Sequence, residues 1–358
     1  MRLSLEREAG VKWLANFLKP SKRFHRRFKY HLDEPSPVVL ASGGLGWGGD
    51  AWFIASDDRA WLRPVKGSKP PYRVPSMEEI ARTPRNGSRI ASTFSGAGGS
   101  CLGYRMAGFE VLWANEFVPG AQESYRANME PGCVLDGRDV RTVAPEDVLG
   151  ALGLAKGELD VLDGSPPCQA FSTVGRRERG WGKEKVYEHG ATQRNEDLFF
   201  EYARLLRGLM PRAFVAENVA GLARGVAKGY FLDILAELKA AGYRVEAQIL
   251  DAKWLGVPQS RNRIFFVGMR DDLEFTFEFP RPLPHRYSIL DALPELVDEP
   301  NGPPRKLTIR ELKRLCSFPD DFALAGSYRQ QWAQLGNSVP PTMMFHVARA
   351  LASALKPT

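Results

Sequence analysis

From residue 88 onward the chain alternates short apolar runs with amphipathic stretches, and no other feature restricts the fold as much. "RIASTFS" (89–95), "FEVLWANE" (109–116), "LDVLDG" (159–164), "AFVAENV" (213–219), "YRVEAQIL" (243–250) and "RIFFVGM" (263–269) have the length and apolar content of strands. "NEDLFFEYARLLRGLM" (195–210) and "GYFLDILAELKAAG" (229–242) carry the helical period instead. In the second, Phe231, Ile234, Leu235 and Leu238 fall on one face. Strands separated by helices predict parallel βαβ units, hence an α/β sheet covered by helices on both faces. Ligands of such sheets sit beyond the carboxyl ends of the strands. After residue 270 the pattern breaks. Residues 278–306 are proline-rich and irregular, 307–322 read as a helix and a turn, and 334–355 as a loop and a final helix.

Composition narrows the function class. No apolar run approaches the roughly 20 residues of a membrane span, and the N-terminus lacks the apolar core of an export signal. The four cysteines, Cys101, Cys133, Cys168 and Cys316, form no CxxC pair. A zinc site is therefore not expected, and reduced thiols in a cytoplasm are. The net charge of +7 suits a polyanionic partner without requiring one. Its distribution says more: "KPSKRFHRRFKYH" (19–31) interleaves Lys22, Arg23, Arg26 and Arg27 with Phe24, Phe28 and Tyr30. It reads either as a solvated basic segment or as an arm that contacts phosphates.

Three segments that carry chemistry sit just past strand ends. "FSGAGGS" (94–100) is a glycine-rich strand-to-helix turn. Such a turn is either merely tight or a place where backbone approaches a ligand. Glu116 ends the next strand and Asp139 follows a further apolar stretch, a spacing that suits a nucleoside ligand. "GSPPCQAFS" is more specific. A buried thiol needs no stiffening, whereas Pro166 and Pro167 fix the backbone ahead of Cys168, as a nucleophile that must reach one atom requires. "ENV" (217–219) offers Glu217, either a surface ion pair or a carboxylate in the same pocket. In "QSRNR" (259–263), Gln259, Arg261 and Arg263 alternate, which places three fork-shaped donors on one face of an extended segment.

Taken in order, "FSGAGG", "ANE", "GSPPCQAFS", "NEDLFFEYARLL", "ENV", "QSRNR", "LTIRELKRLCSFPDDF" and "QLGNSVPP" resemble the DNA (cytosine-5) methyltransferases, over about residues 88–355. The resemblance implies a Rossmann-like methyltransferase sheet with helices on both faces, plus a smaller, irregular recognition domain. It implies S-adenosylmethionine as cofactor, double-stranded DNA as partner, and a target base flipped out of the stack. It assigns Cys168 as nucleophile and Glu217 as the group that bonds the ring. Arg263, with Arg261, would hold the base and favour the thiolate. Phe94, Gly96, Gly98, Gly99, Glu116, Phe117, Asp139, Val140, Pro167, Leu198, Asn337 and Ser338 would line the cofactor pocket, Glu116 binding the ribose and Asp139 the adenine. Residues 172–194, with Arg176, Arg177, Arg179 and Lys183, read as a basic lid over the flipped base.

The chain departs from the family pattern in one respect. The recognition region expected between "QSRNR" and "GNSVP" is short, and a stretch resembling part of it, "DEPSP", stands at 33–37. The reading is therefore of a recognition element moved to residues 1–87, with the basic arm and Trp47 of "GGLGWGG" facing DNA. Residues 88–270 form the catalytic domain, 271–333 a small domain, and 334–358 a segment packing back on the catalytic domain. A monomer is expected, and a cognate restriction endonuclease is compatible with this reading. Competing assignments are a tRNA cytosine methyltransferase and a DNA-binding regulator without catalysis.

Overall fold

The computed structural model describes residues 69–167, 198–223, 228–274, 276–297 and 305–355, together with the paired dipeptides Ser36–Pro37, Lys185–Val186 and Thr192–Gln193. Strands β2 (Arg89–Thr93), β3 (Glu110–Asn115), β4 (Val134–Asp136), β5 (Val161–Gly164), β8 (Ala213–Val219), β9 (Tyr243–Asp251) and β11 (Asn262–Arg270) form one sheet in the order β4-β3-β2-β5-β8-β11-β9. Two short pairs complete the strands. β1 (Ser36–Pro37) runs parallel to β10 (Gln259–Ser260), and β6 (Lys185–Val186) antiparallel to β7 (Thr192–Gln193).

Both faces of the central strands are apolar, as a covered sheet requires. Ile90, Val161, Val215 and Val267 point to one side. They pack against α2 (Gly99–Met106) and the last helix, α10 (Pro341–Leu355), through Tyr104, Met343, Val347 and Leu351. Ala91, Leu162, Phe214 and Phe266 point to the other. There they meet α4 (Pro145–Leu152), α5 (Leu198–Leu209) and α6 (Lys228–Ala240) through Val148, Leu205, Leu206 and Ile234. α10 approaches α2 closely because residue 103 is glycine. A Cβ there would lie 2.6 Å from the Met344 Cβ.

A third core is purely helical. α1 (Met77–Ala81), α7 (Ile289–Ala292), α8 (Ile309–Leu315) and α9 (Tyr328–Asn337) enclose Ile80, Leu290, Leu312, Phe318 and Leu335. Ser76 with Glu79, and Thr308 with Glu311, cap α1 and α8 reciprocally, satisfying first-turn N–H groups. Tyr72, Met77 and Ile80 thus belong to the helical core, although the sequence alone groups them with the N-terminal region.

Two readings are corrected. The sheet is mixed, because β11 lies antiparallel to both β8 and β9. The connection from β9 to β11, residues 252–261, is shorter than the dozen or so residues that a parallel crossover needs. "QLGN", read as a loop, is the last turn of α9, and the loop begins at Ser338. The helix α3 (Pro119–Asn128) and the strand β4 carry few apolar residues, and α4 spans only eight residues, so none stands out in the sequence.

Candidate active site

The carboxyl ends of β2, β3, β5 and β8 and the amino end of β11 lie along one edge of the sheet. The first half of that edge is built around the loop after β2. Phe94, Gly96 and Gly98 all have left-handed backbones, with φ of 54°, 57° and 100°. For Phe94 this conformation is strained, and such strain concentrates at functional sites. The glycines have separate reasons. A Cβ on Gly96 would meet nothing within 4 Å, so this residue faces open space. A Cβ on Gly98 would lie 3.2 Å from the Tyr125 ring. One on Gly99 would lie 2.4 Å from the Val339 carbonyl oxygen and 3.0 Å from the Ser338 Cβ. Gly99 is therefore the point where the end of the chain docks onto the loop.

Glu116 is buried beside this loop. Its Oε2 accepts from the Gly96 N–H and its Oε1 from the Val118 N–H, both at 2.7 Å. Burial raises its pKa, and the N–H bonds from Val118 and Gly96 oppose the rise. A carboxylate held by two backbone donors keeps lone pairs for hydroxyl donors. Phe117 follows it, partly buried. Asp139 caps a short 3-10 turn through the Arg141 N–H and pairs with the Arg141 guanidinium at 3.1 Å. Ser338 ends α9 with its hydroxyl on the Gln334 carbonyl at 2.7 Å, and Asn337 beside it is exposed. Leu198 is fully buried in the second sheet core. The Val140 side chain is likewise core.

The other half of the edge holds the acid and the arginines. Glu217, only 6% exposed, has the Arg263 Nε 2.8 Å from its Oε1. Burial lowers the Arg263 pKa, and Glu217 opposes this. One residue on, the Asn218 side chain donates to the Pro166 carbonyl at 3.0 Å. This bond ties the proline loop to the strand that carries the acid. Cys168 itself lies outside the described residues, as do Lys22, Arg23, Arg26, Arg27, Trp47, Arg176, Arg177, Arg179 and Lys183. Pro167 is the last described residue before it, partly buried.

The three alternating donors of "QSRNR" do not act together. Gln259 is buried with its amide 3.5 Å from the Cys316 sulfur. Arg261, 1% exposed, donates to the Gly336 carbonyl at 3.0 Å and the Ser338 carbonyl at 2.8 Å. Only Arg263 reaches Glu217. The strand breaks between β10 and β11 at Arg261, whose N–H goes to the Asp251 carboxylate, so the alternation is lost. Burial pushes the Arg261 pKa down to about 9, with Arg263 adding to the fall. It still carries its charge at neutral pH. Arg261 therefore fixes the α9–α10 turn against the glycine loop instead of holding a base.

Two further contributors emerge from the structure. Asn218, the middle residue of "ENV", is one. Asp163, an acid inside an otherwise apolar strand, is fully buried beneath the glycine loop. An acid in such a run was the available signal. Among the described residues, no cluster of His, Cys, Asp and Glu could hold a metal ion, and no helix is long and apolar enough to cross a membrane.

Comparison with known proteins places this geometry. The sequence profile of the family described as C-5 cytosine-specific DNA methylase matches residues 88–301 and 290–353. The type II methyltransferase M1.HphI of Haemophilus parahaemolyticus is 30% identical over 327 residues, covering 72% of this chain and 85% of its own. M.NgoFVII of Neisseria gonorrhoeae, also a type II methyltransferase, is 28% identical over 343 residues, covering 74% and 87%. Among solved structures, an E. coli prophage protein assigned as a DNA modification methyltransferase superposes with a TM-score of 0.62 at 20% identity, covering 75% of this chain and 99% of that one. That likeness is one of fold.

Proposed function

The chain belongs to the C-5 cytosine-specific DNA methylase family, and from that premise we propose how its own residues divide the reaction. It is a DNA cytosine-5 methyltransferase. S-adenosylmethionine fits the first half of the edge, where the backbone at Gly96 faces open space and the Glu116 carboxylate keeps lone pairs for ribose hydroxyls. When bound, it supplies an electrophilic methyl group for carbon 5. Glu116 orients the ribose, and Asp139 receives the adenine edge.

The second half handles the base. Carbon 5 of cytosine is too weak a nucleophile unaided. Addition of the Cys168 thiolate to carbon 6 moves electron density onto carbon 5. Glu217 bonds N3 and the exocyclic amine and stabilises the ring as the adduct forms. Arg263 holds the Glu217 carboxylate in place. After methylation, a base removes the carbon 5 proton, the carbon–sulfur bond breaks, and the thiolate is regenerated. The observation that carries this reading is the Asn218–Pro166 bond, which brings the cysteine loop to the strand end bearing the buried Glu217.

Target recognition, in this proposal, lies toward the N-terminus. Its support is the parallel pairing of Ser36 with Gln259 and of Pro37 with Ser260, which brings the last two residues of "DEPSP" to the short strand just ahead of Arg261. Lys22, Arg23, Arg26, Arg27 and Trp47 then contact DNA, with Arg176, Arg177, Arg179 and Lys183 of the lid. Bisulfite sequencing of DNA from an expression host tests the activity. Protected cytosines in one short motif, absent with Cys168→Ser, are expected, and no protected cytosine with either protein overturns it. Deleting residues 1–60 tests recognition: unchanged motif-specific methylation refutes an N-terminal reader.

A further inference from the structure

The glycine loop needs an anchor. Phe94, Gly96 and Gly98 hold left-handed backbones; for the glycines this is unstrained, but Phe94 relaxes from it unless neighbouring contacts fix it. The loop's two flanks are fixed by one oxygen atom. Ser92 before the loop and Ser100 after it both donate to Oδ2 of Asp163, at 2.9 and 2.7 Å. Tyr104, one turn further along α2, donates to Oδ1 at 3.2 Å. Inside the loop, the Ser95 hydroxyl donates to the Ser92 carbonyl at 3.0 Å and lies 3.2 Å from the Ser92 hydroxyl. The strand β5 bearing Asp163 runs on through Gly164, Ser165 and the two prolines into Cys168.

Burying a carboxylate at 1% exposure among neutral hydroxyls is expensive, and an apolar side chain would pack there at lower cost. Stability alone does not explain this cluster. We propose that Asp163 is a positioning residue that staples both ends of the cofactor loop to the strand leading into the nucleophile, and thereby sets cofactor affinity. This rests on the reading of residues 94–99 as the cofactor loop. Burial also pushes the Asp163 pKa up to about 6, against the hydrogen bonds from Ser100, Ser92 and Tyr104. Cys101 and Tyr104 on α2, Tyr202 on α5 and Glu217 on β8 are the titratable groups that interact with it. With Asp163 ionised, all three hydroxyls are committed to donating to it.

The test uses the full chain and S-adenosylhomocysteine as probe, with binding followed by calorimetry. Asp163→Ala is expected to raise Kd about tenfold or more, a change that is readily resolved. KM for the methyl donor should rise in step, while kcat and the affinity for duplex DNA stay within about threefold, a change worth under 1 kcal/mol. Asp163→Asn, which keeps an acceptor for one serine, should recover part of the affinity. An unchanged Kd in Asp163→Ala overturns the proposal, as does an equal loss of kcat and DNA binding, which marks general damage to the fold. If Asp163→Ala does not fold, the Ser92→Ala, Ser100→Ala double variant carries the same expectation and the same refutation. A wild-type protein that binds no S-adenosylhomocysteine overturns the cofactor-loop reading, and this inference with it.

Discussion

The two halves of the active edge handle buried charge in opposite ways. Toward the cofactor loop, Glu116 is held by backbone N–H groups and Asp163 by hydroxyls. Toward β11, the acid is matched by guanidinium: Glu217 meets Arg263, and Arg261 is buried close by. In the proposed assignment the difference follows the ligands: S-adenosylmethionine is a sulfonium cation, and Glu116 and Asp163, held by neutral donors, leave room for its charge. The cytosine half must hold an acid in one orientation and favour a thiolate, and a buried cation beside the acid does both. One sheet edge thus hosts two electrostatic regimes, separated by little more than the width of β5 and β8.

Variants that spoil one half should leave the other intact. Glu217→Gln should lower kcat by about 10²–10⁴-fold, the range for a lost proton-transfer partner. S-adenosylhomocysteine affinity should not change, and tritiated methyl transfer with calorimetry reads both. A parallel loss of cofactor affinity would break the comparison. Arg261→Met removes two charged hydrogen bonds to the Gly336 and Ser338 carbonyls and leaves them buried. A stability loss of about 3 kcal/mol is expected in urea. Arg263→Met should instead act mainly on kcat. Among the glycines, Gly99→Ala forces a Cβ against the Val339 carbonyl and should cost about 1–3 kcal/mol. Gly96→Ala meets no atom, so its stability cost is only the left-handed backbone, about 1 kcal/mol, and its main effect falls on cofactor binding.

A further effect is in pH. The Asp163 pKa is raised in the folded state to about 6 from 3.8. The native protein therefore binds the extra proton, and the contribution to stability is full below the unfolded value and is lost as pH rises through about 6. Relative to Asp163→Asn, which cannot titrate, the wild type should lose stability across that window with a slope of at most about 1.4 kcal/mol per pH unit. Thermal melts at closely spaced pH values measure it. Equal slopes for both proteins would show that Asp163 does not titrate there.

What the sequence disclosed was what is local. β8 spans the same residues as the apolar run "AFVAENV", and β2 and β11 differ from theirs only at the ends, because periodicity is set by immediate neighbours. The left-handed loop was foreshadowed by its glycines. What stayed hidden depends on distant partners. Gly99 is glycine because Val339 lies against it, and Asn218 matters because it reaches Pro166. Arg261 looked equivalent to Arg263 under strand alternation. Only the break between β10 and β11 sends its fork to the α9–α10 turn. The direction of β11 likewise depends on how short its connection is, a constraint that apolar patterning does not carry.

The central claim is that Cys168 adds to cytosine in DNA while Glu217, held by Arg263, bonds the ring beside it. Covalent trapping on a random-sequence duplex pool containing 5-fluorocytosine tests it most directly, because fluorine at carbon 5 cannot leave as a cation and the enzyme stays bonded to carbon 6. With S-adenosylmethionine present, the wild-type chain should shift to a DNA-linked species on a denaturing gel, Cys168→Ser should not shift, and Glu217→Gln should shift far more slowly. A wild-type chain that never becomes linked, or a Cys168→Ser chain that still does, would contradict the account.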